Sequence, residues 1–192
     1  MGTGKDFYLK LDQHTNLKPE NMAVNPFRRQ VRAIVIYEDK GSIESFTLDG
    51  KDMRSITVNA IDSILTKKPV AARTAKSTSP IEICRSWVNS FEDGYITLNF
   101  EAEWGDSGLP HILNLEKTDD PYTFIFKHDC NGDVLRTHLV NGLVAFDLNG
   151  LVPAVGSYDI KVAYEGYVKE KTITFHVENG VCTSPVASYS GE

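Results

Sequence analysis

The segment FKHDCNGD, residues 126–133, sets His128, Asp129, Cys130, Asn131 and Asp133 side by side. Imidazole, thiolate and carboxylate are the groups that ligate metals and move protons. Asp-x-Asn-x-Asp also opens a calcium loop of the EF-hand kind. Such a loop needs glycine at its sixth position and a bidentate glutamate at its twelfth. Counted from Asp129, those positions hold Val134 and Val140, and the glycine falls at the fourth. The EF-hand reading fails. Asn131-Gly132 between two β-rich runs is instead a hairpin signal, because both residues tolerate positive φ. Asp129 and Asp133 would then accept hydrogen bonds from turn amides.

Other chemistry is thinly marked. His111, His128, His138 and His176 fall on predicted strands without H-x-H or H-E-x-x-H spacing. No G-x-S-x-G elbow, glycine-rich phosphate loop or S-x-x-K is present. Cys84 sits between Ile83 and Arg85 on an alternating strand and reads as a structural thiol. Three cysteines without a C-x-x-C pair argue against a structural zinc site and allow at most one internal disulfide. Aromatic side chains are the better binding candidates, since rings stack on sugars and anchor protein interfaces. Phe100, Phe124, Phe126 and Phe175 are expected in the core. The candidate ligand-binding set is Tyr95, Trp104, Tyr122, His128, Asp129, Asp133, Tyr164 and Tyr167. No catalytic, cofactor-binding or metal residues are assigned.

The elements that must position these residues are strands. KDFYLKLD, VRAIVIYE, SIESFTL and MRSITVNAI carry period-two or β-branched patterns in the first part. In IDSILTKK, Ile61, Ile64 and Leu65 share a face at helical spacing, which predicts a short helix over 61–68. Residues 67–80, KKPVAARTAKSTSP, hold two prolines and few large apolar side chains and read as a linker or long surface loop. Beyond it, strands are predicted over 81–89, 94–104, 109–116, 122–129, 135–148, 157–165 and 168–178, separated by Gly, Asp and Pro turn signals. About seven short strands at this spacing suggest an antiparallel β-sandwich. The tail after Glu178 reads as frayed or loosely docked.

Hydrophobic residues make up 41% of the 192, enough for real cores. The formal charge of −6 repels phosphate backbones, so nucleic acid is not an expected partner. Arg28, Arg29 and Arg32 alone would make a thin basic groove. No apolar run is long enough to span a bilayer, and MGTGKDFYLK has no hydrophobic signal core.

W-x(7)-Y-x-T-L-x-F, from Trp87 to Phe100, and D-P-Y-x(6)-H-D-x-x-G-D, from Asp120 to Asp133, resemble the C-terminal domain of the NigD-like family. DFYLKLDQHTNLKPE, VRAIVIYE and VNAIDSIL resemble its N-terminal domain. The resemblance implies an all-β chain: an N-terminal OB-like β-barrel, here residues 1–78, followed by a C-terminal antiparallel β-sandwich, residues 79–192. It implies a secreted lipoprotein of anaerobic Gram-negative bacteria, held at the cell envelope by a lipidated N-terminal cysteine. That anchor, and a leading strand of the barrel, are expected to be missing from this sequence. The family name comes from a bacteriocin operon and implies immunity; the family brings no catalytic residues to carry over.

Together these readings lead to a non-enzymatic envelope lipoprotein, a monomer or weak oligomer, that binds a protein or glycan partner without a cofactor. Bacteriocin immunity is one alternative. A glycan or cell-wall hydrolase is another; it would require two carboxylates, or a histidine and a carboxylate, to converge in a cleft, with Asp129, Asp133 and His128 the first to mutate.

Overall fold

The computed structural model describes residues 7–12, 14–48, 50–77, 79–86, 88–133, 137–182 and 186–188, without the side chains of 44–47 and 186–188. Trp87, and the side chains of 44–47 in the SIESFTL segment, lie outside what is described. The chain divides into two compact units, Met1–Ile64 and Leu65–Glu192. No helix occurs among the described residues.

The first unit has four strands, β1 (Leu9–Lys10), β2 (Thr15–Pro19), β3 (Ala33–Leu48) and β4 (Lys51–Ser63), in the order β1-β2-β4-β3. Asp12 closes the turn between β1 and β2, its Oδ1 accepting from the amides of His14 and Thr15 at 2.7 Å each. Pro19, which has no amide hydrogen to give the ladder, ends β2. AIVIYE, the last six residues of VRAIVIYE, and SIESFTL lie on one long strand, β3, with register shifts at Ile36/Tyr37, Asp39/Gly41 and Ser42/Thr47. Phe7, Leu9, Leu17, Ile56 and Val58 form the core, with Met22, Val35, Tyr37 and Ile61 against it.

The predicted helix over 61–68 is absent. Ile61 is paired with Val35 in the β3–β4 ladder, and β5 (Leu65–Lys67) runs parallel to a later strand. Ladder pairing decides the conformation there; the i, i+3, i+4 spacing was too short to hold a helix by itself.

The second unit contains β5, β6 (Glu82–Ile83), β7 (Ser90–Glu92), β8 (Tyr95–Trp104), β9 (Ile112–Lys117), β10 (Thr123–Asp129), β11 (His138–Asp147), β12 (Ser157–Glu165), β13 (Glu170–Glu178), β14 (Val181–Cys182) and β15 (Val186–Ser188). One hydrogen-bonded path runs β5-β11-β8-β7-β14-β13-β12-β10-β9 and folds over on itself. Phe126 of β10 meets Phe100 of β8 edge-on at 6.2 Å and Phe146 of β11 at 5.9 Å. These strands are far apart along the path, so their rings meet across two facing layers. Alternation supplies the core: Ile96, Leu98 and Phe100 from β8, Val144 and Phe146 from β11, Phe124 and Phe126 from β10, Val162 from β12 and Phe175 from β13. Most pairs are antiparallel; β10–β12 and β5–β11 are parallel.

Two boundaries differ from expectation. The second unit starts at Leu65, earlier than residue 79, because residues 65–81 are tied to the sandwich. Val70 donates its amide to Leu115 and accepts from Lys117, and Ser79 donates to the carbonyl of His128. Glu116 accepts from the Ala75 amide at 2.8 Å. This segment is a strap laid on the sandwich, held by backbone bonds that composition does not reveal. The described residues of the tail are likewise docked: β14 pairs with β7 and β13, β15 pairs with β13, and Cys182 is buried.

Candidate functional site

The FKHDCNGD segment is a turn, and more. Asn131 and Gly132 both have positive φ, 52° and 85°, and the amide of Asp133 closes on the carbonyl of Cys130 at 2.9 Å. Asp129 Oδ1 accepts from the Asn131 amide at 2.9 Å. The turn does not join a hairpin, since β10 pairs with β9 and β12 while β11 pairs with β8 and β5. It redirects the chain, and in doing so carries Asp133 inward rather than to solvent.

There Asp133 meets two histidines. Its Oδ2 lies 3.1 Å from His111 Nε2 and accepts from the Gly105 amide at 2.8 Å. His111 Nδ1 lies 2.7 Å from His128 Nε2, and His128 Nδ1 lies 3.2 Å from the carbonyl oxygen of Pro80 on the strap. Trp104, at the end of β8, stacks on His111 with centroids 3.6 Å apart and planes 14° from parallel. The result is a linear chain, Asp133–His111–His128–Pro80. It is sealed: the His111 and Asp133 side chains are 0% and 1% exposed, and His128 is 1% exposed. Burial alone pushes the Asp133 carboxyl up. Hydrogen bonds from His111, Gly105 and the Ser107 hydroxyl outweigh it and hold the group below its ordinary value.

Metal binding does not fit this arrangement. Ligating atoms must converge on a point, whereas here the ring nitrogens face each other and the carboxylate in sequence. Among the described residues no three His, Cys, Asp or Glu side chains are placed to hold a metal ion.

The remaining candidates are scattered. Tyr164 is 3% exposed and packs in the core, and it also lines the cleft that Tyr167 borders. Tyr122 packs on Tyr158 at 5.4 Å. Tyr95 is half-buried at the start of β8. Tyr167 stands in the turn between β12 and β13, 38% exposed, beside Val168 at 90%. These two border an open cleft of about 440 Å³, lined also by Ser77, Lys127, Gly166 and Lys169. Burial raises the Tyr167 phenol, and the nearby carboxylate of Glu103 adds to the effect. Cys84 is half-buried; burial and then Glu101 raise its thiol, which suits a structural role. Cys84, Cys130 and Cys182 are all unbridged.

Residues 1–64 match the NigD-like N-terminal OB domain, and residues 63–177 match the NigD-like C-terminal beta sandwich domain. The chain belongs to the NigD-like family. Several solved structures share the fold. One, from Parabacteroides distasonis ATCC 8503 and described only as toxin related, is 27% identical, with a TM-score of 0.72 over 93% of this chain and 89% of that one. A protein of unknown function from Bacteroides vulgatus ATCC 8482 is 22% identical, with a TM-score of 0.68 over 88% and 82%. A NigD-like immunity protein from Bacteroides caccae ATCC 43185 is 15% identical, with a TM-score of 0.58 over 98% and 88%. No curated protein matches the chain. Within this NigD-like sandwich, the residues of the H-D-x-x-G-D signature have distinct jobs: Asp129, Asn131 and Gly132 make the turn, and His128 and Asp133 join the buried chain. His111 and Pro80 complete that chain from elsewhere. His111 was visible only as one strand histidine among several, and Pro80 acts through its carbonyl, for which a sequence gives no signal.

Proposed function

We propose that this NigD-like chain is a non-enzymatic lipoprotein of the bacterial cell envelope that holds a protein or glycan partner on its sandwich unit, at the β12–β13 turn. The observation that carries this reading is the exposure of Tyr167 and Val168 beside an open cleft. A ring and an isopropyl group turned to water gain most from being covered, and a phenol can also stack on a sugar face. The formal charge of −6 favours neutral glycans or proteins over nucleic acid. The described cluster richest in proton-transfer groups is sealed, which argues against the hydrolase alternative: His128 and Asp133 have no surface to offer a substrate. The envelope location rests on the family resemblance.

The test is a thermal-shift panel with neutral glycans, peptidoglycan fragments and envelope proteins, run on the native chain and on Tyr167→Ala and Val168→Asp. A partner of the folded state raises the melting temperature, and both substitutions should abolish the shift while leaving the unliganded Tm unchanged. Binding that survives both substitutions, or turnover of a glycan, would overturn the reading. A second reading, bacteriocin immunity, draws on the toxin-related description of the Parabacteroides distasonis protein. It calls for tight binding of one toxin in the same panel.

A further inference from the structure

The chain from Asp133 to Pro80 has a proton count that its geometry fixes. It contains three contacts: Asp133 Oδ2 to His111 Nε2, His111 Nδ1 to His128 Nε2, and His128 Nδ1 to the Pro80 carbonyl. Each needs one hydrogen. The Pro80 oxygen can only accept, and so can an ionised carboxylate. Two neutral imidazoles supply two hydrogens between them, so three contacts demand a third. With it, the imidazole pair carries one positive charge, balanced by the Asp133 carboxylate. A neutral assembly of this kind is what a sealed site tolerates.

Removing the third proton leaves one contact with a lone pair facing a lone pair. The contact to Asp133 is charge-assisted and keeps its hydrogen on His111 Nε2. His111 Nδ1 then accepts from His128 Nε2, and His128 Nδ1 is left bare against the Pro80 oxygen. That is also the longest of the three contacts, at 3.2 Å. Asp133 is a charged group that meets the pair directly, at His111. Trp104 covers the pair from β8 with an uncharged ring, and the strap presents the Pro80 carbonyl to the His128 ring and the Ser79 amide to the His128 backbone carbonyl. Gly105 and Ser107, on the loop after β8, engage Asp133. Asp129 of β10 engages the Asn131 amide, and Asp106 pairs with His138 in solvent.

We propose that Asp133, His111 and His128 form a proton-dependent latch that fastens the strap to the sandwich through the Pro80 carbonyl, closed when three protons are shared and released at the strap when one is lost. The strap carries Ser77, which lines the cleft beside Tyr167, so release would loosen one wall of that cleft. The latch itself does not depend on what the cleft binds.

The experiment combines two ligand-free measurements on the whole chain across the pH range in which it stays folded. The first is nitrogen NMR of labelled histidine side chains. The second is hydrogen exchange of residues 70–81 of the strap, corrected for the chemical rate. Where the strap is protected, the four ring nitrogens of His111 and His128 should show three bearing hydrogen and one bare. As the second bare nitrogen appears, strap exchange should rise about tenfold per pH unit, the slope for one linked proton. Asp133→Asn, which keeps an acceptor for Gly105 and His111 but removes the charge that balances the extra proton, should move that rise to lower pH. Two bare nitrogens at a pH where the strap is fully protected would overturn the proposal. So would strap exchange that ignores pH in the native chain, or a rise that survives unchanged in folded Asp133→Asn. If that variant does not fold, the two native-chain measurements still decide.

Discussion

Glu116 is 3% exposed, and burial alone would raise its carboxyl; the amides of Ala75 and Arg73 and the Lys127 ammonium at 3.1 Å bring it below its ordinary value. Its contribution is therefore present above the unfolded value near 4.5 and lost as pH falls through the lower native value. Glu116→Gln removes the charge facing Lys127 and leaves a partly unsatisfied site, at a cost of about 1–3 kcal/mol in urea unfolding at neutral pH. The gap between variant and parent should close in acid, and a gap independent of pH would contradict the assignment. His176 shows the opposite sign on an exposed surface. Hydrogen bonds to Asp159 and then Glu178 raise it above 6.5. Its favourable interaction is complete below 6.5 and fades as pH rises through the native value. Asp159→Asn should bring the His176 titration seen by NMR back toward the ordinary range, and an unmoved midpoint would assign the shift elsewhere. At this scale the sequence was half legible. His128 and Asp133 stood out by residue type, but their use inside the fold depends on His111 and Pro80, which only tertiary contacts bring near.

Among the elements, β8, β10, β12 and β13 could be read from alternation, because period two and a buried face are the same fact seen twice. In β8, Ile96, Leu98 and Phe100 turn inward as their spacing predicts. Errors arose where hydrogen bonds outrank side-chain pattern. Ile61, Ile64 and Leu65 mimic a helical face, yet Ile61 pairs with β3, Leu65 pairs with β11, and the Ile64 amide donates to the Arg32 carbonyl. The strap looks like a linker because its anchors are the Val70 and Ser79 amides and the side chain of Glu116. Gly142 of β11 is a third such place. It lies opposite Phe100, and a Cβ there would come 2.7 Å from the ring. Phe100 packs edge-on against Phe126 and has little room to withdraw. Gly142→Ala should therefore destabilise the sandwich by about 1–3 kcal/mol, the range for overpacking a dense core. Pairing it with Phe100→Leu should recover part of the loss, and strictly additive costs in a double-mutant cycle would show that the ring is not the obstacle.

The whole molecule is built around two separate cores of unequal size. The first unit relies on Phe7, Leu9, Leu17, Ile56 and Val58. The second has a much larger cluster drawn from facing layers, including Phe91, Phe100, Phe124, Phe126, Phe146 and Phe175. Small cores leave little margin: at roughly 0.05–0.15 kcal/mol per residue, a unit of this size has about 3–10 kcal/mol in total. Ile56, 0% exposed, sits at the centre of the smaller core. Ile56→Ala would cost about 2–5 kcal/mol, enough to remove most of that margin. Phe126, packed between Phe100 and Phe146, would cost about 3–5 kcal/mol on truncation to Ala, but from a larger reserve. Calorimetry of the full chain should then resolve two transitions. Ile56→Ala should lower or erase the smaller and leave the larger in place, while Phe126→Ala should move the larger alone. If either substitution shifted a single shared transition by its full amount, the units would be melting as one body, and stability measured at the strap or the latch would report on the first unit as well as the second.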